Sequence, residues 1–238
     1  MYNNKIANYL EGKMLKYKCL VLDHDDTVFD STKDIHYPVF MRALNELRPG
    51  MKMTLDEYNL ACFDPGFGEY CNDVLKLSEE EMEIQLANWD NYVKEHIPSY
   101  YEGFDKILKK QKSEGGLICV VSHSLSDNIK RDYIESFGLT PDMIFGWDKG
   151  DGYRKPNPFP LEEIMRVYNL KPDELLMVDD LKPGFDMAKK CKVDFACAGW
   201  EKTTPLIKDF MKKNCDYYLE TVDELYNLLF SDEKKSNK

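Results

Sequence analysis

Lys18-Cys19-Leu20-Val21-Leu22-Asp23-His24-Asp25-Asp26-Thr27-Val28 is the stretch that decides the fold. Cys19 to Leu22 are all apolar, and the run ends abruptly in polar residues. A short run with no polar position, bounded by turn formers, suits a strand buried on both faces. The same shape returns at Leu117-Ile118-Cys119-Val120-Val121 before Ser122, and at Leu175-Leu176-Met177-Val178 before Asp179-Asp180. A weaker fourth run covers Val193 to Cys197. Between the later runs, apolar residues recur at helical spacing. Ile129, Tyr133, Ile134 and Phe137 mark a helix from Ser126 to Phe137 that Gly138 stops. Phe159 to Tyr168, Gly184 to Lys190 and Tyr101 to Gln111 read the same way. Such alternation predicts a doubly wound α/β domain, a parallel sheet covered by helices on both sides.

The interval between the first two strands breaks the alternation. Residues 32–98 hold helical patterns at Pro38 to Leu47, Leu55 to Cys62 and Glu79 to His96, with no convincing strand. That is too long for an ordinary connection, so it reads as an inserted helical cap, hinged near Ser31 to Tyr37 and Ile97 to Glu102. The expected layout is a polar N-terminal extension over 1–17, a core from 18–31 and 99–230, the cap over 32–98, and a charged tail over 231–238 expected to be disordered. Ile6, Tyr9 and Leu10 offer one apolar face for a short helix in the extension. Phe63-Asp64-Pro65-Gly66-Phe67-Gly68 reads equally as a loop closing over substrate and as a helix break packed in the cap.

Composition narrows the classes of partner. The chain has 238 residues, 43% hydrophobic and 32% charged, ordinary for a globular protein with one main core and a smaller module. No run approaches the roughly 20 apolar residues of a membrane-spanning helix. The first 18 residues lack the apolar centre and small-residue site of a signal peptide, so a cytoplasmic location and no membrane partner are expected. The seven cysteines include no CxxC pair, and reduced, buried thiols are expected rather than a disulfide framework or a zinc site. A net charge of −11 argues against nucleic acid as a partner.

The apolar runs end in Asp23 and Asp25, in Ser122, and in Asp179 and Asp180. In a parallel α/β sheet the C-terminal strand ends line one edge, where ligands bind, so these residues are expected to converge. Four carboxylates in one place repel unless cations compensate. Mg2+ is the hard, oxygen-seeking ion usually held by carboxylates together with a phosphate. Lys155, in the proline-braced loop Gly152-Tyr153-Arg154-Lys155-Pro156-Asn157-Pro158, supplies a second positive charge. Acids, a metal and one lysine suit phosphoryl transfer.

With its apolar lead-in, Asp23-His24-Asp25-Asp26-Thr27-Val28 resembles the first motif of the haloacid dehalogenase superfamily, DxDxT followed by an apolar residue. Val120-Val121-Ser122 resembles the second motif, Lys155 before Pro156 the third, and Val178-Asp179-Asp180 the fourth. All four occur in order over roughly residues 18–200, and the insertion resembles the family's C1 cap. The resemblance implies that Asp23 is the nucleophile and forms an aspartyl-phosphate. Asp25 is then the general acid and base, which requires it to start protonated. Ser122 binds phosphoryl oxygens, Lys155 bridges Asp23 and phosphate, and Thr27 orients the loop at the substrate. The Mg2+ ligands are Asp180 and Asp179 with Asp23, plus the backbone carbonyl of Asp25. His123, within Ser122-His123-Ser124, is placed on the substrate side. Asp26 stands where the family frequently has glycine. His24 is expected to point away from the acids, Asp186 to be a solvated helix residue, and His36, Tyr37 and Arg42 receive no role.

These readings predict a Mg2+-dependent phosphatase acting on a small-molecule phosphate ester, as a monomer or homodimer. A phosphoglucomutase shares the first half-reaction and differs only in what accepts the phosphate. A dehalogenase needs neither a second acid at Asp25 nor Mg2+, so Asp25, Asp179 and Asp180 together weigh against it. A signalling receiver domain carries its acidic pair at the first strand rather than the last. An inactive binding protein is disfavoured because every essential acid is present.

Overall fold

A computed structural model describes residues 15–200 and 204–231. The extension helix expected around Ile6, Tyr9 and Leu10 and the tail after residue 231 lie outside the described residues. Leu15 and Tyr17 pack on the core, and the Tyr17 hydroxyl donates to Asp194 Oδ2 at 2.6 Å. The core therefore takes in residues that the sequence reading assigned to the extension.

Six strands form one parallel sheet in the order β5 (Met143–Phe145), β4 (Leu117–Val121), β1 (Cys19–Leu22), β6 (Leu175–Asp179), β7 (Asp194–Ala198), β8 (Tyr217–Leu219). The doubly wound expectation holds. The chain moves outward from β1 through β4 to β5, then crosses to β6 on the other side of β1. That reversal puts the topological switch point beside β1, where open α/β sheets bind ligands.

The strands are apolar throughout because helices cover both faces. Leu20, Leu22, Ile118, Val120, Leu176 and Val178 share one core with Phe104, Ile107 and Leu108 of α4 (Phe104–Ser113) and Ile129 and Tyr133 of α5 (Ser126–Phe137). The alternate residues Cys19, Val21, Cys119, Val121, Leu175 and Met177 share the other with α6 (Phe159–Tyr168), α7 (Lys182–Cys191) and α8 (Pro205–Asn214). α9 (Val222–Phe230) returns to the first face. All seven cysteines are free thiols.

The insertion leaves and rejoins the core through a two-stranded antiparallel ribbon, β2 (Phe29–Asp30) and β3 (Ser99–Tyr100). It contains α1 (Tyr37–Leu47), α2 (Leu55–Phe63) and α3 (Glu79–Glu95), with short helical turns at Thr32–His36 and Phe67–Val74. Thr54 with Glu57 and Ser78 with Glu81 form capping boxes that start α2 and α3. Phe40, Leu44, Met53, Tyr58 and Cys71 give the insertion its own apolar centre. Among the described residues no helix is long and apolar enough to cross a membrane.

Candidate active site

Leu22 pairs with Val120 of β4 on one side and Val178 of β6 on the other. The residues that follow these three strands therefore emerge side by side. Asp23, whose N–H donates to the Val178 carbonyl at 2.9 Å, stands between Ser122 and Asp179. Sequence distances of about 100 and 150 residues collapse into one cluster. Asp23, Asp179 and Asp180 are buried, and each offers a carboxylate oxygen within 4.8 Å of the others.

Lys155 enters this cluster from its loop, almost completely buried. Its Nζ lies 2.5 Å from Asp179 Oδ2 and 2.8 Å from Asp23 Oδ1. Burial works against its charge, but the two carboxylates hold its pKa above the ordinary lysine value. The loop is tied down from outside, since His123 Nε2 donates to the Lys155 carbonyl at 2.8 Å and Lys190 to the Pro156 carbonyl at 2.9 Å. Burial, then the charges of Lys155 and Arg154, push the His123 imidazole down to about 4.

Asp179 is braced by the Leu181 N–H at 2.8 Å and lies against Gly184 at the start of α7. A Cβ at Gly184 would overlap its carboxylate. Burial raises the Asp179 carboxyl to about 7, Asp23 adding to the effect and Lys155 opposing it. Asp180 is pushed well above the carboxylate range by burial and by Asp179, Asp26 and Asp23. One lysine thus does not balance these acids. A hard divalent cation fits this all-oxygen donor set and would return the carboxyls to their ionised form.

Thr27 is fully buried, and its hydroxyl points to Asp180 Oδ1 at 3.4 Å. Its side chain packs behind the motif loop, where the hydroxyl meets Asp180. His24 turns away, as its alternation predicts, and pairs with buried Asp132 at 3.1 Å. Asp26 adopts φ +54°, the left-handed region where glycine is easiest. Its Oδ1 accepts from the N–H groups of Ser31 and Thr32 at 3.2 and 2.9 Å, anchoring the turn that begins the insertion.

Asp25 differs from the expectation of a neutral acid. Its Oδ1 accepts from Ser31 Oγ and His36 Nε2, both at 2.8 Å, and its Oδ2 from Ser124 Oγ at 2.7 Å. Burial favours the neutral form, yet His36, helped by Ser124, holds the carboxyl far below the usual range. The Trp89 indole donates to His36 Nδ1 at 2.9 Å. An indole can only donate, so His36 presents Nε2–H to Asp25 in this geometry. Both Asp25 oxygens thus act as acceptors in this geometry. His36, Ser124 and Trp89 were not assigned from the sequence. The fold brings His36 and Trp89 in from the insertion, and no local spacing announces them.

Over the acids, between core and insertion, lies a cavity of about 630 Å3. Asp23, Asp25, Asp180, Ser122, His123 and Lys155 open onto its floor. Asp64 to Gly68 line its wall, while Phe67 also packs on Phe40 and Tyr58 in the insertion core. Asp186 sits at the rim, paired with Lys182 at 2.7 Å.

The family model for haloacid dehalogenase-like hydrolases matches residues 20–198. The chain belongs to that family. A phosphoglycolate phosphatase of Aquifex aeolicus (strain VF5) is 28% identical over 200 residues, covering 81% of this chain and 91% of the relative. Pyrophosphatase PpaX of Bacillus cereus (strain Q1) is 23% identical over 174 residues, covering 70% and 76% respectively. Among solved structures, a predicted phosphatase from Clostridium acetobutylicum superposes with a TM-score of 0.73 at 19% identity, over 89% of this chain and 97% of that one. A mutant of CbbY from Rhodobacter sphaeroides, solved in complex with xylulose-(1,5)bisphosphate, gives 0.69 at 16% identity, over 88% and 96%. At such identities the structural likenesses speak to the fold alone. This hydrolase therefore combines the family's sheet with a buried Asp23–Lys155–Asp179–Asp180 cluster under a cavity.

Proposed function

We propose that this family member hydrolyses small-molecule phosphate monoesters in a Mg2+-dependent reaction, through an aspartyl-phosphate on Asp23. The observation that carries the reading is the convergence of Asp23, Asp25, Lys155 and Asp180 on one cavity floor. Asp23, Asp179 and Asp180, with the Asp25 carbonyl, would hold the ion, whose chemistry is to offset charge on the acids and the phosphoryl group.

In the first half-reaction an Asp23 oxygen bonds to phosphorus while the bond from phosphorus to the ester oxygen breaks, and the departing alkoxide takes a proton from Asp25, which has first received it from the monoanionic ester. In the second, water attacks phosphorus, gives its proton to the Asp25 carboxylate, and the phosphorus–Asp23 bond breaks. Ser122 donates to the phosphoryl oxygens, and Lys155 keeps Asp23 ionised and offsets the added charge. The insertion acts as a cap that excludes bulky phosphoproteins. A cytoplasmic location goes with this reading.

Turnover of p-nitrophenyl phosphate tests it. Release of nitrophenolate is expected with Mg2+ present, and it should stop when EDTA is added and return with excess Mg2+. Turnover indifferent to EDTA would contradict the metal assignment.

A further inference from the structure

The cavity volume, about 630 Å3, is in the middle of the range for small-molecule sites and far more than a phosphate on a two-carbon acid fills. Its far wall is built by the insertion. On α3, Met82, Gln85, Leu86 and Trp89 fall at i, i+3, i+4 and i+7, one helical face, and all four line the cavity. Tyr58 and Phe67 add two rings with centroids 5.5 Å apart. That wall is wide, apolar and aromatic.

Charge is an independent observation. Among its described residues, the insertion puts no lysine or arginine on the cavity; its charged side chains there are Asp64 and Glu69, while His36 is committed to Asp25 and Trp89. The cations of the core rim are already countered. Arg154 lies 3.3 Å from the Trp147 ring centroid and is paired with Asp151, and Lys182 is paired with Asp186. A leaving group bearing a carboxylate or second phosphate would be desolvated against acids with no free partner, which is costly. A planar ring would meet surfaces that favour it.

We infer that the preferred substrate is a phosphate monoester whose leaving group is ring-bearing and uncharged. Nucleoside 5′-monophosphates have this chemistry; phosphoglycolate, pyrophosphate and bisphosphates do not. The inference rests on the phosphatase reading and departs from the substrates in the names of the matched relatives.

The test is kcat/KM with Mg2+ for the four common nucleoside 5′-monophosphates, phosphoglycolate, pyrophosphate and fructose 1,6-bisphosphate. The best nucleotide is expected to exceed each of the other three by about 100-fold or more. A smaller margin, or a reversal, overturns the inference and leaves the phosphatase reading intact. Failure of the folded protein to turn over any of these or p-nitrophenyl phosphate defeats both. Leu86→Arg, at a position 37% exposed, should narrow the nucleotide-to-phosphoglycolate ratio about tenfold by giving the second anion a partner. An unchanged ratio contradicts the assignment of this wall.

Discussion

At Asp25 the core and the insertion meet through single hydrogen bonds. His36 reaches it from eleven residues along the chain, across the start of the insertion, with Trp89 fixing the imidazole from behind. On the proposed mechanism His36 is a positioning residue. His36→Ala should lower kcat by about 10- to 100-fold, a share of what general acid–base catalysis contributes, while KM for p-nitrophenyl phosphate moves little. His36→Gln keeps an N–H donor and should recover part of the loss; equal defects in the two variants would show that the hydrogen bond is not what matters. His123 gives a pH signature. Its folded-state value of about 4 lies below the 6.5 of the free side chain. Above 6.5 both folded and unfolded chains leave it neutral. As pH falls from 6.5 to 4 the unfolded chain binds a proton that the folded one refuses, so stability declines across that window. Urea unfolding at pH 7 and pH 4.5 should show a smaller decline in His123→Gln than in the wild type, and equal declines would contradict the assignment. Asp23, Asp25, Ser122 and Lys155 were legible in the sequence because each ends an apolar run or sits in a proline-braced loop. Asp26 could be noticed but not explained until its φ of +54° showed why glycine suits that place. His36 and Ser124 were illegible because only tertiary contact gives them a partner.

Elements made the acids findable. β1, β4 and β6 are buried on both faces, so their residues are apolar without alternation and each strand end stands out against polar residues. β5 and β8 escape the same reading because three residues each are too few to make a run. β2 and β3, two residues each, carry no pattern at all. The helices of the insertion were readable from their periodicity. The face of α3 that lines the cavity was not, since nothing in the sequence says which side of a helix looks at a site. α7 contributes through one contact. Gly184 lets the helix start close on the Asp179 carboxylate, which in turn holds Lys155. Gly184→Ala should displace that carboxylate, costing about 1–3 kcal/mol of stability by overpacking and lowering kcat more than it raises KM. A melting temperature and kcat both equal to wild type would contradict this reading of the contact.

For the whole molecule, function depends on topology. A sheet order that reverses beside β1 brings together residues about 150 positions apart, and the insertion closes a chamber over them. The net charge of −11 would not keep the proposed anionic substrate out, because the local field would be set by Lys155 and the proposed cation on the acids rather than by the distant surface. On the proposed mechanism Asp23 attacks phosphorus. Asp23→Asn removes the nucleophilic charge and preserves the shape, so its turnover of p-nitrophenyl phosphate with Mg2+ tests that claim most directly. A fall of about 1,000-fold or more in kcat, with the melting temperature retained, is the predicted result. Turnover within a few-fold of wild type would contradict the mechanism.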